Sequence, residues 1–169
     1  MNRELLLLGL LRQQDMHGYQ LHEFINRNMS SCIDLKKPTA YYLLEKMVEA
    51  GWINEIQEHE GNRPPRNVFQ LTAEGEATFQ KLLRENIGTY HSTQFADDIG
   101  LAFLDALTPD EARALLNTRR DSILRALADA QLAPKHSGTS QLVIDHLIHH
   151  LHSELEWLDQ VIKQITSFT

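Results

Sequence analysis

The residues best suited to chemistry in this 169-residue chain fall into three groups. The first follows a proline: Thr39, Tyr41, Tyr42 and Lys46, with Lys37 just before Pro38. Thr39, Tyr42 and Lys46 are spaced by three and four residues, which puts them on one face of a helix. Hydroxyls and an ammonium on such a face suit phosphate oxygens and base edges. They equally suit a solvated face on a structural helix, and the pattern alone leaves both open. Tyr41 lies at the edge of the opposite, apolar face and is in part a core residue. The second group is Arg63 and Arg66, which flank Pro64-Pro65. The prolines stiffen the segment and lower the entropy cost of holding a guanidinium in place. Arginine in turn matches phosphate oxygens and narrow minor grooves. The third group is His146, His149, His150 and His152. His146 and His150 stand one helical turn apart, a spacing that can hold a metal. No cysteine or dense carboxylate set accompanies them, so no metal is assigned. They read as a polar helix face or as packed histidines, with protonation near pH 6 as a further use.

Enzyme chemistry has no foothold. There is no phosphate-binding glycine loop, no nucleophile elbow and no metalloprotease motif. Nothing ties the lone Cys32 to a histidine, and one cysteine excludes an intramolecular disulfide framework. No cofactor is expected, and a reducing, cytoplasmic setting fits.

The elements that position these groups follow from periodicity. Residues 2–13, dense in leucine, read as a buried helix, not as a leader or a membrane span. Asp15 and Gly18 mark a turn. A second helix is predicted from Gly18 to Met29, with Leu21, Phe24, Ile25 and Met29 inward. Residues 30–35 connect it onward, with room for a short strand. Pro38 opens a third helix, whose Ala40, Leu44 and Met47 face the core and whose Thr39, Tyr42, Lys46 and Glu49 face out. Gly51 suits the left-handed position that ends it. Residues 52–59 and 67–71 are predicted strands around a tip of turn residues, Glu60 to Arg66. Thr72 caps a fourth helix carrying Phe79, Leu82, Leu83 and Ile87. Helix, helix, helix, strand, wing, strand is the order of a winged helix-turn-helix.

The second half is nearly all helix. Thr108-Pro109-Asp110-Glu111 is a capping box opening a helix to about Gln131, with Ala112, Leu116, Ile123, Leu127 and Ala130 in one stripe. Ser140 to Thr166 reads as one long helix. Its Leu147, Leu151, Leu155, Leu158, Ile162 and Ile165 recur every three or four residues, and Val143, Trp157 and Val161 widen the stripe. One helix of the same domain covers one side of so wide a surface. The remainder predicts a homodimer interface at Leu147, Leu151, Leu155, Trp157, Leu158 and Ile162. The fold class is therefore mainly α with a small β-hairpin. A winged helix-turn-helix is expected over residues 1–88, and a helical dimerisation and effector domain over residues 89–169.

Charge constrains this reading. The net charge is −7, whereas a basic domain is the usual footprint of DNA binding. Residues 1–90 hold 10 Lys/Arg against 12 Asp/Glu, and residues 91–169 hold 6 against 11. DNA contact would come from placed side chains, not from overall attraction.

Four blocks resemble the PadR family of bacterial transcriptional regulators: LLLLGLL at 5–11, HGYQL at 17–21, PTAYYLLEKMVEAGWI at 38–53 and GNRPPRNVFQLTAEG at 61–75. They stand in the family's order and spacing. The second half matches in character only, with the acidic and aromatic stretch Glu154 to Leu158 near its end. Two positions depart from the family pattern. Asn67 and Val68 follow Arg66 where a basic residue and then aromatic ones are usual, and Trp52 replaces a smaller aliphatic residue. The resemblance implies a homodimer on double-stranded DNA, often a repressor, that lets go on an inducing signal. It assigns Lys37, Thr39, Tyr41, Tyr42, Lys46, Arg63 and Arg66 to DNA. It marks Trp157 as a wall for a small aromatic or apolar effector. His17-Gly18-Tyr19, a family marker, reads as structural, with the glycine in a tight turn and the tyrosine packed. The alternative from another class is a winged-helix protein-interaction module without DNA binding, which the acidity favours.

Overall fold

The computed structural model describes residues 2–28, 35–58, 66–93, 95 and 98–165. The chain divides into two compact units, Met1–Ser92 and Thr93–Thr169.

In the first unit, helix α1 (Asn2–Gln13) buries Leu7, Leu8, Leu10 and Leu11. Helix α2 (Gly18–Asn28) contributes Leu21 and Ile25, and α3 (Lys37–Glu49) contributes Ala40, Leu44 and Met47. The apolar spacing thus selects the buried face of α2 and α3, except that Phe24, expected inward, is 37% exposed, and Met29 lies outside the described residues. The α3 helix starts one residue earlier than Pro38 suggests, with Lys37 already helical and Lys36 as its N-cap. It ends in a Schellman motif. Gly51 has φ +73°, its N–H donates to the Val48 carbonyl at 3.0 Å, and the Trp52 N–H donates to that of Met47 at 2.9 Å.

Strands β2 (Ile53–Glu58) and β3 (Arg66–Leu71) pair antiparallel, from Ile53 opposite Leu71 to Glu58 opposite Arg66. A third strand, β1 (Met16–His17), pairs with the other edge of β3, Met16 opposite Phe69, to give the order β1-β3-β2. Two residues are too few to show a period in sequence, so the sheet exceeds the expected hairpin. The strand allowed for in residues 30–35 falls largely on residues 29–34, outside those described.

Thr72 caps α4 (Ala73–Gly88) by accepting the Gly75 N–H at 3.0 Å. Its own hydroxyl lies 2.7 Å from the Gly51 carbonyl and 3.0 Å from that of Trp52. A Cβ on Gly75 would fall 2.0 Å from the Trp52 carbonyl oxygen. This junction locks the end of α3 to the start of α4. Arg12 joins α1 to α4 as well, with its Nε 2.8 Å from Glu76 and its guanidinium over the Phe79 ring.

In the second unit, α5 (Asp98–Leu101) and a 3-10 turn (Leu104–Ala106) precede α6 (Pro109–Leu132). Thr108 accepts the Glu111 N–H at 3.3 Å, as the capping box requires. Helix α7 (Ser140–Gln164) lies along α6. Arg119 meets Glu154 and Arg120 meets Asp159, each at 2.6 Å. Ala112, Leu116, Leu158 and Ile165 form the core between the two helices.

Candidate nucleic-acid interface

Burial of Ala40, Leu44 and Met47, each 1% exposed, fixes the rotation of α3. The opposite ridge therefore faces out. Thr39 is half-buried there, Tyr42 is 57% exposed, and Lys46 and Glu49 are exposed. Lys36 and Lys37 stand exposed at the helix N-terminus. No side chain caps the helix at Lys36. An uncapped N-terminus with two ammonium groups beside it is complementary to a phosphate.

Lys46 does not stand alone on its ridge. Its Nζ lies 2.6 Å from Glu49, and the hydrogen bond to that carboxylate, followed by its charge, raises the lysine pKa above the ordinary value. A phosphate reaching Lys46 must compete with Glu49.

Tyr41 belongs to the frame. A Cβ on Gly18 would come within 3.0 Å of its ring and 3.3 Å of Phe69. The positive-φ glycines among the described residues are Gly51 and Gly138. Gly18 does not need its backbone freedom for a positive φ; instead a side chain there would crowd the Tyr41 and Phe69 rings. The Lys37 ammonium lies 5.8 Å from the Tyr41 ring centroid, which draws that lysine toward the frame.

The wing is described from Arg66 onward, and Arg63 lies outside the described residues. Arg66 is exposed, with its guanidinium 5.8 Å from the Tyr19 ring centroid. Tyr19 in turn stacks on His17 at 5.4 Å, and His17 Nδ1 lies 3.1 Å from the Asn67 carbonyl. Tyr19 does pack, but at the surface: it is 44% exposed and forms the middle of this stack. The stack ties the base of the wing to the start of α2. No local pattern could reveal it, because Tyr19 and Arg66 are far apart in sequence. Lys36 is the other residue that the sequence reading passed over, although it stands beside Lys37 before the proline.

In the second unit, Leu155 and Leu158 are 9% and 0% exposed within the single chain. Leu158 packs with Ala112 and Leu116 of α6 in the unit's own core, and Leu155 is buried without a second chain. Leu147, Leu151 and Ile162 are half-buried. Leu142, Val143 and Trp157 are 64%, 42% and 40% exposed. His146 and His150 are exposed, and among the described residues no group of three or more His, Cys, Asp or Glu is placed to hold a metal. Among those residues no helix is long and apolar enough to cross a membrane.

Residues 7–81 match the model of the transcriptional regulator PadR-like family. No curated protein matches the chain in sequence. Among solved structures, the chain is similar to Bacillus subtilis PadR in complex with operator DNA. That match has 20% identity, covers 96% of this chain and 98% of the other, and has a TM-score of 0.84. The same Bacillus protein in complex with p-coumaric acid matches at 19% identity, with 96% and 98% coverage and a TM-score of 0.82. The Vibrio cholerae virulence activator AphA matches at 16% identity, with 99% coverage of both chains and a TM-score of 0.75. At these identities the likeness establishes the fold.

Proposed function

We propose, from the match of residues 7–81 to the PadR-like family of transcriptional regulators, that the chain is a ligand-responsive repressor of that family. In this reading it acts in the cytoplasm as a homodimer on an inverted-repeat operator and releases DNA when a small aromatic or apolar effector binds. The observation that carries it is the outward ridge of α3, with Tyr42 exposed and the Lys36-Lys37 pair at an uncapped N-terminus. Tyr42 reads base edges, and Thr39 and Lys46 hold phosphates. Arg63 and Arg66 place the wing in a groove. The residues from 89 onward carry dimerisation, and the exposed Leu142 and Val143, which lie outside the pocket lined by Trp157, are the surface a second copy would cover. The operator-DNA and p-coumaric acid complexes named for the Bacillus PadR support DNA and a small effector as ligand classes. AphA, by contrast, is named a virulence activator.

The second reading is a winged-helix protein-interaction module without DNA binding. The net charge of −7 and the Lys46–Glu49 pair favour it. Fluorescence anisotropy with DNA from upstream of the chain's own gene, in a salt series, separates the two. Repression predicts saturable binding that weakens steeply with salt, and no binding at low salt would leave the interaction module.

A further inference from the structure

The second unit contains a pocket of about 390 Å³ between the 3-10 turn, the start of α6 and α7. That size suits one small organic ligand. Its wall is apolar, with Leu104, Leu107, Val161 and Ile165 prominent, and Trp157 adds an aromatic residue to it. Asp105 is the single charged side chain among the described residues lining it.

The N-terminus of α6 lies in the same wall, at Pro109. A helix start commonly attracts anions, but this one is built against them. Pro109 has no N–H, Thr108 already accepts the Glu111 N–H, and Asp110 and Glu111 place two carboxylates on the first turn. The nearest arginine in sequence, Arg113, is turned to Asp110 at 3.6 Å and does not line the pocket. An anionic ligand would lose its hydration beside an aspartate with no cation among the described lining residues to compensate. A cationic one would gain Asp105 and the aromatic Trp157.

We propose that this pocket is the effector site and that it takes an aromatic amine, cationic at neutral pH, and rejects aromatic carboxylates. The proposal rests on the effector reading above and gives it a place and a charge. It also separates this chain from the Bacillus PadR, whose solved ligand, p-coumaric acid, is a carboxylic acid.

The test uses the full chain with Trp52→Phe, which leaves Trp157 as the sole fluorophore of its kind, since the sequence has two tryptophans. Its emission is titrated with three near-isosteres: 3-phenylpropylamine, 3-phenylpropanol and 3-phenylpropanoate. The amine is expected to bind at least about tenfold more tightly than the carboxylate, with the alcohol between them. Asp105→Asn should reduce that preference to about twofold or less. Equal or tighter binding of the carboxylate, or no binding by any of the three, overturns the proposal. So does Trp157 found shielded from acrylamide in the assembled protein, which would mean that a second copy fills the pocket. Operator release is measured separately. Amine binding that leaves the operator complex intact would retain the ligand site but remove the effector reading.

Discussion

At the residue scale, the account turns on which side chains are free to meet DNA. Lys46 is held by Glu49, an exposed pair of modest strength. Glu49→Gln frees the ammonium and removes a like charge to phosphate, so operator affinity should rise about two- to fivefold. Titration by anisotropy reads this directly, and weaker binding would show that Glu49 positions Lys46 for contact. Tyr42→Ala is expected to relax sequence preference more than Lys46→Ala does. The lysine change should weaken binding to all sequences and lower the salt slope by about one unit. Competition between operator and scrambled DNA checks both, and operator-selective loss in Lys46→Ala would reverse the roles. Tyr19 gives a different test. Tyr19→Phe keeps the ring against Arg66 and should leave binding unchanged, whereas Tyr19→Ala should weaken it without moving the melting temperature by more than about 4 °C. Equal loss in both variants would point to the hydroxyl instead.

At the scale of elements, the end of α3 is the most constrained part of the first unit. Gly75→Ala drives a methyl into the Trp52 carbonyl, which is backbone and cannot swing aside. The expected cost is about 2 kcal/mol or more, since the junction must separate or strain. Gly51→Ala has open space around it but a positive φ, and should cost about 1 kcal/mol. Urea denaturation of the two variants checks the order, and a milder effect at Gly75 would contradict the junction. These elements were legible to very different degrees. Leu44 and Met47 repeat at helical spacing, Thr72 caps with its own side chain, and Gly51 ends a helix by its backbone freedom. Each of these signals is local, and each is found in place. The strand at Met16–His17 and the Arg66–Tyr19–His17 stack are long-range events whose energy lies in partners dozens of residues away. Gly18 shows an intermediate case: the glycine is conspicuous, but only the packed ring of Tyr41 explains it.

At the scale of the whole molecule, α7 carried a stripe too wide for one neighbour, and α6 covers part of it. Periodicity registers that a position is apolar, but not whether its own chain or a second copy buries it. Leu158, 0% exposed against α6, illustrates the ambiguity. Leu158→Ala should therefore destabilise the second unit by about 2–5 kcal/mol. Leu142→Asp with Val143→Asp should instead leave a folded monomer. Light scattering with circular dichroism distinguishes these outcomes, and a stable dimer in the second variant would move the interface elsewhere. The central claim is that placed side chains let an acidic chain bind DNA. The most direct measurement is anisotropy of the full chain on DNA from upstream of its own gene, beside the variant Arg63→Glu with Arg66→Glu. The account predicts tight, salt-sensitive binding by the parent chain and its abolition in the variant, with the variant's oligomeric state unchanged. Equal affinity of the two proteins at moderate salt, or no binding by the parent at low salt, would contradict it.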